Sequence, residues 1–231
     1  ENEGDLIIPA SKITASSINF MAKFGRGLIC LTLCQKQADK LNLSLMSPDN
    51  ISRSQTAFTV SIDAKYGITT GISAHDRCKT IKKAIQKKVS PKKFVSPGHV
   101  FPIVAKNGGV LVRAGHTEAS VDVAKFAKCS PSAVICEIMN DDGSMSRLPE
   151  LVKVAEKFNL RIVSIEDLVA YRMKNDSLIS KSFDKDVETN FGTYRLRAYK
   201  QTNNDQVHIA LTLGKWNKDD IILTRINSSV V

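Results

Sequence analysis

Aromatic side chains are scarce in this chain, 6% of 231 residues with one tryptophan, and no apolar run approaches the roughly 20 residues of a membrane span. The first shortage removes most of the flat surfaces on which single-stranded nucleic acid stacks. The second argues against a membrane helix. Cysteine pairs are missing too: Cys30, Cys34, Cys78, Cys129 and Cys136 make an odd set, mostly among apolar neighbours. No second Cys or His pair follows Cys30 and Cys34 at zinc-finger spacing, so disulfide and structural-zinc frameworks are set aside, and reduced thiols of a cytoplasmic protein are expected. Residue 1 is Glu and no basic-then-apolar leader follows it. The expectation is therefore no secretion signal in the part at hand, and further sequence upstream.

What is present in excess is positive charge, a formal net +10. Lys79, Lys82, Lys83, Lys87, Lys88, Lys92 and Lys93 crowd one segment, within which Ile81, Ala84 and Ile85 keep a helical apolar stripe. With only Tyr66 and Phe94 nearby, these lysines are read as the solvated face of a helix, with no nucleic acid and no membrane as partner.

The apolar pattern alternates between strand and helix. Residues 6–8 predict a strand, and Thr14 opens a helix through Ile18, Met21 and Ala22 that Gly25 can close. Residues 27–33, 57–63, 110–112, 133–139 and 161–165 predict further strands, and Ser164 with Asp167 predicts a capping box for a helix running to about residue 173. Residues 175–188 are polar and read as a linker. Beyond them 194–199, 207–213 and 221–226 predict three strands. The expected fold is α/β, a mixed twisted sheet layered with helices over 1–174, followed by a small antiparallel β segment over 189–231.

Two places carry chemistry. Arg113, Ala114, Gly115, His116, Thr117 and Glu118 set a guanidinium, an imidazole and a hydroxyl beside a glycine, just ahead of the amphipathic run of Val121, Ala124, Phe126 and Ala127. Thr117 as N-cap and Arg113 as a planar fork of donors would suit a phosphate; an ordinary capped helix after a loop is the alternative. Glu137 is a carboxylate inside an apolar strand. It must be neutral, paired, or placed where a substrate or metal can reach it.

Glu1 to Asp5, Gly98 to Pro102, Arg113 to Glu118, Glu137 to Gly143 and Ile165 to Arg172, taken together and in order, resemble the 3,4-dihydroxy-2-butanone 4-phosphate synthase family of riboflavin biosynthesis. The resemblance covers about residues 1–172. It implies a lyase that converts D-ribulose 5-phosphate to 3,4-dihydroxy-2-butanone 4-phosphate and formate with Mg2+, or Mn2+, assembled as a homodimer with sites at the interface. Carried onto this chain, it implies Glu1 and His116 as metal ligands, and His99, Glu137 and Glu3 as catalytic groups. Asp5, Arg113, Ala114, Gly115, His116, Thr117 and Glu137 become the substrate contacts. The family pattern is broken at Ser11 and Phe24, where Glu and His are common, and an arginine expected just before Glu1 lies outside the sequence. From about residue 189 the chain bears a weaker likeness to the opening of GTP cyclohydrolase II. There Arg225, Ile226, Asn227, Ser228 and Ser229 replace that family's nucleotide-contacting run, and its zinc-binding cysteines are absent, so no cyclohydrolase activity is expected of this segment. A non-catalytic homologue or truncated form serving as a riboflavin-pathway scaffold is the alternative function, and a basic RNA-binding module a third.

Overall fold

The computed structural model describes residues 2–202 and 206–228, and the chain divides into two compact units, Glu1–Asp176 and Ser177–Val231. In the first, five strands form one sheet in the order β1-β5-β2-β4-β3. They are β1 Asp5–Pro9, β2 Cys30–Cys34, β3 Ile62–Ala64, β4 Phe94–Ala105 and β5 Ser132–Glu137. Only β2 and β4 run parallel; the other neighbours are antiparallel. Six helices surround the sheet: α1 Ala15–Phe20, α2 Gln35–Leu41, α3 Ala74–Ala84, α4 His116–Phe126, α5 Leu148–Phe158 and α6 Ile165–Asn175. No helix among the described residues is long and apolar enough to cross a membrane.

Alternation along the strands separates two faces. Leu6, Leu31, Leu33, Val100, Val134 and Cys136 turn to the main core, with Ile13, Ile18 and Met21 from the α1 region and Ile81 and Ala84 from α3. Cys30, Ile103 and Ile135 turn the other way, where Phe58 and Phe101 pack on them. Helix α4 crosses this second face, and its buried Ser120 shares a 2.7 Å hydroxyl hydrogen bond with Thr32 of β2.

The structure departs from the expected elements where local pattern lacks a tertiary partner. Residues 110–112 are not a strand: Gly109–Leu111 is a 3-10 turn, because the Val110 N–H is taken by the buried Asp122 carboxylate at 2.9 Å. Residues 161–164 are irregular and α6 follows them directly, with the Ser164 hydroxyl accepting from the Asp167 N–H as expected. Arg26, in left-handed conformation, caps the π-type turn Met21–Gly25, so the closure falls one residue beyond Gly25. Phe24, at a departure from the family pattern, packs against Phe20 and Phe158 at ring-centroid distances of 4.9 and 4.6 Å.

In the second unit β6 Ile179–Thr189, β7 Gly192–Gln201 and β8 Val207–Thr212 form an antiparallel sheet in that order. Strand β6 lies mostly within the stretch read as linker. Its charges have partners on the neighbouring strand, Asp184 meeting Arg195 at 2.5 Å and Arg197 at 3.5 Å, so polarity there marks cross-strand pairing rather than disorder. Residues 221–226, expected as a strand, pair with none among the described residues, and Ile221, Leu223 and Ile226 are exposed.

Candidate functional site

The register of the sheet brings the acidic residues together. Asp5 pairs directly with Glu137 across β1 and β5, which sets their side chains on one face about 5 Å apart at the Cβ atoms. Cys30 follows two residues back along the same face, paired with Ile135. Burial is the main cause that raises the Asp5 carboxyl from the ordinary 3.8 to about 6; His116 opposes the shift, while Glu137 and Glu3 add to it. The Cys30 thiol is likewise pushed up, first by burial and then by Glu137 and Asp5. It is therefore held as a neutral thiol and is no nucleophile at ordinary pH.

Glu137 ends its strand with a grip on the loop that enters β2. Its Oε2 accepts from the Leu28 N–H at 2.8 Å and its carbonyl accepts from the Gly27 N–H at 3.2 Å. Any Cβ at Gly27 would stand 2.5 Å from Oε2, so only glycine lets this backbone pass so close to the carboxylate. Glu137 is thus half-buried at a strand end with one backbone donor, and the rest of its carboxylate is available to another group.

His116 opens α4, and its Nε2 donates to the Glu3 carbonyl at 3.2 Å. When the ring is neutral, Nδ1 then carries the lone pair, the arrangement found when a histidine ligates a metal and gives its other N–H to a carbonyl. Glu3 itself is paired with Arg147 at 3.5 Å. The donor set of Glu3, Asp5, Glu137 and His116 is mostly hard oxygen with unbalanced negative charge, which fits a hydrated divalent ion. Among the described residues no three protein ligands close into a cage, and Glu1 lies outside the described residues.

The segment from Arg113 to Thr117 is arranged differently from its expected form. The N-cap of α4 is Gly115, not Thr117, and Thr117 is buried within the first turn. Arg113 directs Nη1 to Glu118 at 2.6 Å, Nη2 to the Ser54 carbonyl and the Thr56 hydroxyl at 3.0 Å each, and Nε to Ser54 at 3.3 Å. Four of the five N–H donors of a guanidinium are engaged in this way. Its fork is therefore mostly committed to the protein, and the first-turn N–H groups of α4, which have no partner within the helix, are the donors left for an anion. Ala114 belongs to the same turn, where Gly115 donates to the Arg113 carbonyl at 2.9 Å.

Two buried carboxylates stand one turn apart on α4: Glu118, which the sequence reading names only as the end of the Arg113 run, and Asp122, which it does not single out. Glu118, 1% exposed, takes the Lys106 N–H as well as Arg113. Asp122, 2% exposed, takes Val110 N–H and Arg172, the latter at 2.7 Å. Their spacing of four residues is the available signal.

His99 lies elsewhere on the sheet. It sits in β4, where the register against β3 shifts between Ile62 and Asp63, and its Nδ1 meets Asp63 Oδ2 at 2.6 Å. Strand β2 separates β4 from β5, so His99 and Glu137 stand about two strand spacings, roughly 10 Å, apart in the sheet. On α3, Lys83 donates to the Tyr66 carbonyl at 2.6 Å and Lys79 to that of Gly67. Both lysines thus tie down a loop.

The family profile described as 3,4-dihydroxy-2-butanone 4-phosphate synthase matches residues 1–171, and that of GTP cyclohydrolase II matches residues 180–231. Riboflavin biosynthesis protein RibBA of Aquifex aeolicus is 50% identical over 99% of this chain, which spans 57% of that protein's length. Among solved structures, the two-domain 3,4-dihydroxy-2-butanone 4-phosphate synthase RibBX of A. baumannii is 43% identical with a TM-score of 0.80, covering 93% of this chain and 63% of its own. A 3,4-dihydroxy-2-butanone 4-phosphate synthase in complex with two magnesium ions is 39% identical with a TM-score of 0.72, covering 76% of this chain and 87% of its own.

Proposed function

Because the chain belongs to the 3,4-dihydroxy-2-butanone 4-phosphate synthase family, we propose that it converts D-ribulose 5-phosphate to 3,4-dihydroxy-2-butanone 4-phosphate and formate. The observation that carries this reading is the opposed pair Asp5 and Glu137, set at the end of the sheet with His116 beside them. Such a reaction needs a proton removed beside a carbonyl, an enediolate held, and protons returned as the skeleton rearranges and formate leaves. A carboxyl titrating near 6, as Asp5 does, is populated in both forms near neutral pH and can contact substrate hydroxyls as donor or acceptor. Glu137, Glu3 and His99 are the proton carriers of this reading. The first turn of α4, with Thr117 and the charge of Arg113, receives the phosphate.

His116, with Glu1, would hold Mg2+ or Mn2+. The ion would supply charge to stabilise the enediolate oxygens. A homodimer with sites at the interface is part of the proposal, as the resemblance to the family implies. Free thiols at all five cysteines accord with a cytoplasmic location. Formate release from D-ribulose 5-phosphate by the purified chain, with Mg2+ and then with EDTA, tests the reading. Turnover that EDTA abolishes and Mg2+ restores is expected; no formate under any metal condition refutes it.

A further inference from the structure

Lysines on neighbouring elements of the first unit form one cationic face. The last turn of α3 carries Lys82, Lys87 and Lys88 lie just beyond it, and Lys92 and Lys93 follow in the 3-10 turn Pro91–Lys93. Helix α2 packs on this end of α3: Gln37 Nε2 donates to the Ala84 carbonyl at 2.6 Å, and Lys40 Nζ donates to that of Lys87 at 3.3 Å. That contact adds Lys36 and Lys40, one turn apart on α2. On the other side the Lys65 N–H donates to the Lys93 carbonyl at 2.8 Å, which brings Lys65 alongside. All of these lysines are exposed. None pairs with a carboxylate among the described residues, whereas Lys125 and Lys181 each meet an aspartate. Of the carboxylates on the adjoining elements, Asp63 and Asp76 are buried, and the exposed Asp39 accepts from Gln35 at 2.8 Å.

The α3 run by itself reads as solvated surface, but the fold extends it over α2 and supplies almost no opposite charge. A block of one sign repels itself, and it marks an interaction surface more than a helix of mixed sign does. Its chemistry narrows the partner. Tyr66 and Val95 are the exposed large apolar side chains beside it. They are too few to anchor a protein interface, where lysine is depleted, to enter a bilayer, or to stack unpaired bases. No arginine stands among these lysines to read base edges with a planar fork. What remains is a set of flexible point charges, which suits phosphates in a row. We propose that this face binds the phosphate backbone of a nucleic-acid duplex without sequence preference. The surface is separate from the Asp5–Glu137 site: α2 leaves β2 after Cys34, at the opposite end of that strand from Cys30.

The experiment compares two triple variants of the full chain. Lys82→Gln, Lys88→Gln and Lys92→Gln remove three exposed charges from the face, and Lys128→Gln, Lys153→Gln and Lys174→Gln remove three from elsewhere. Binding is followed by fluorescence anisotropy with a short labelled RNA duplex and a DNA duplex of the same sequence, and by co-sedimentation with phosphatidylserine vesicles. Wild-type affinity should fall about a hundredfold or more between about 50 and about 200 mM salt. At the lower salt the face variant should bind about tenfold or more weakly, with a log–log salt slope shallower by about three. The control variant should stay within about threefold of wild type. Face-dependent binding to either duplex supports the proposal, and the tighter of the two names the polymer. Equal weakening in both variants overturns it, because net charge alone then draws the polymer. Binding to vesicles but to neither duplex also overturns it and assigns the face to a membrane; so does no binding at all at about 50 mM salt.

Discussion

Asp5→Asn should make the metal-free protein more stable, and only above acid pH. Asp5 faces Glu137 across the last rung of the β1–β5 ladder, and its carboxyl titrates near 6 instead of 3.8. Folding therefore favours the protonated form. The stabilisation from this group is complete below about pH 4, is lost as pH rises through about 6, and stays lost above it. A displacement of about two pH units, at about 1.4 kcal/mol each, sets a ceiling of about 3 kcal/mol, and coupling to Glu137 and Glu3 lowers the share that Asp5 alone carries. Asparagine mimics the protonated carboxyl at every pH. The difference between variant and wild type should thus be near zero at about pH 4 and reach roughly 1–3 kcal/mol at about pH 8, or several degrees in midpoint for a unit of this size. Thermal melts followed by circular dichroism in EDTA, at pH steps across that range, measure it. A midpoint difference independent of pH, or a variant less stable than wild type at about pH 8, would refute the electrostatic account of this site. The variant should also lose turnover, so that stability and catalysis move in opposite directions at one residue.

Glu137→Gln should lower kcat about a hundredfold or more while substrate binding, followed by calorimetry, stays within a few-fold; wild-type turnover would remove Glu137 from the chemistry. In His116→Ala, both the Mg2+ concentration for half-maximal rate and the rate itself should worsen, the former about tenfold or more, and an unchanged metal dependence would contradict its role as ligand. Arg172→Met removes the guanidinium from the buried Asp122 carboxylate and leaves it the Lys125 ammonium at 3.3 Å and the Val110 N–H, which should cost about 1–3 kcal/mol in urea unfolding; a loss below about 0.5 kcal/mol would mean that these two partners suffice.

Much of the site can be read from residue types in order, because Glu137 in an apolar strand and the Arg113 to Glu118 run are local signals. Their geometry cannot. That Asp5 opposes Glu137 depends on β1 pairing with β5, far away along the chain, and no periodicity in either strand names its partner. Arg113 shows the same limit from the other side: its fork is legible as a donor set, but its engagement by Glu118 and Ser54 follows from packing of α4 on the loop around residue 54. Asp63 is hidden in the sequence, since a carboxylate in an alternating stretch looks like a solvent-facing residue until the shifted β3–β4 register turns it inward. In the second unit, β6 reads as linker because its stabilising side chains are charged, and only the partner strand reveals that the charges are paired.

The division of the sheet into a core face and a reacting face comes down to parity. Along β1 the even positions Leu6 and Ile8 serve the core, while the odd position Asp5 serves the site; along β5 Val134 and Cys136 are core and Glu137 is not. A strand has no other way to tell its two sides apart. Insertion or removal of a single residue within β1 would exchange a carboxylate for a leucine at the site and bury the carboxylate in the core. The spacing of these acidic residues along the chain is therefore as strict a requirement as their identity.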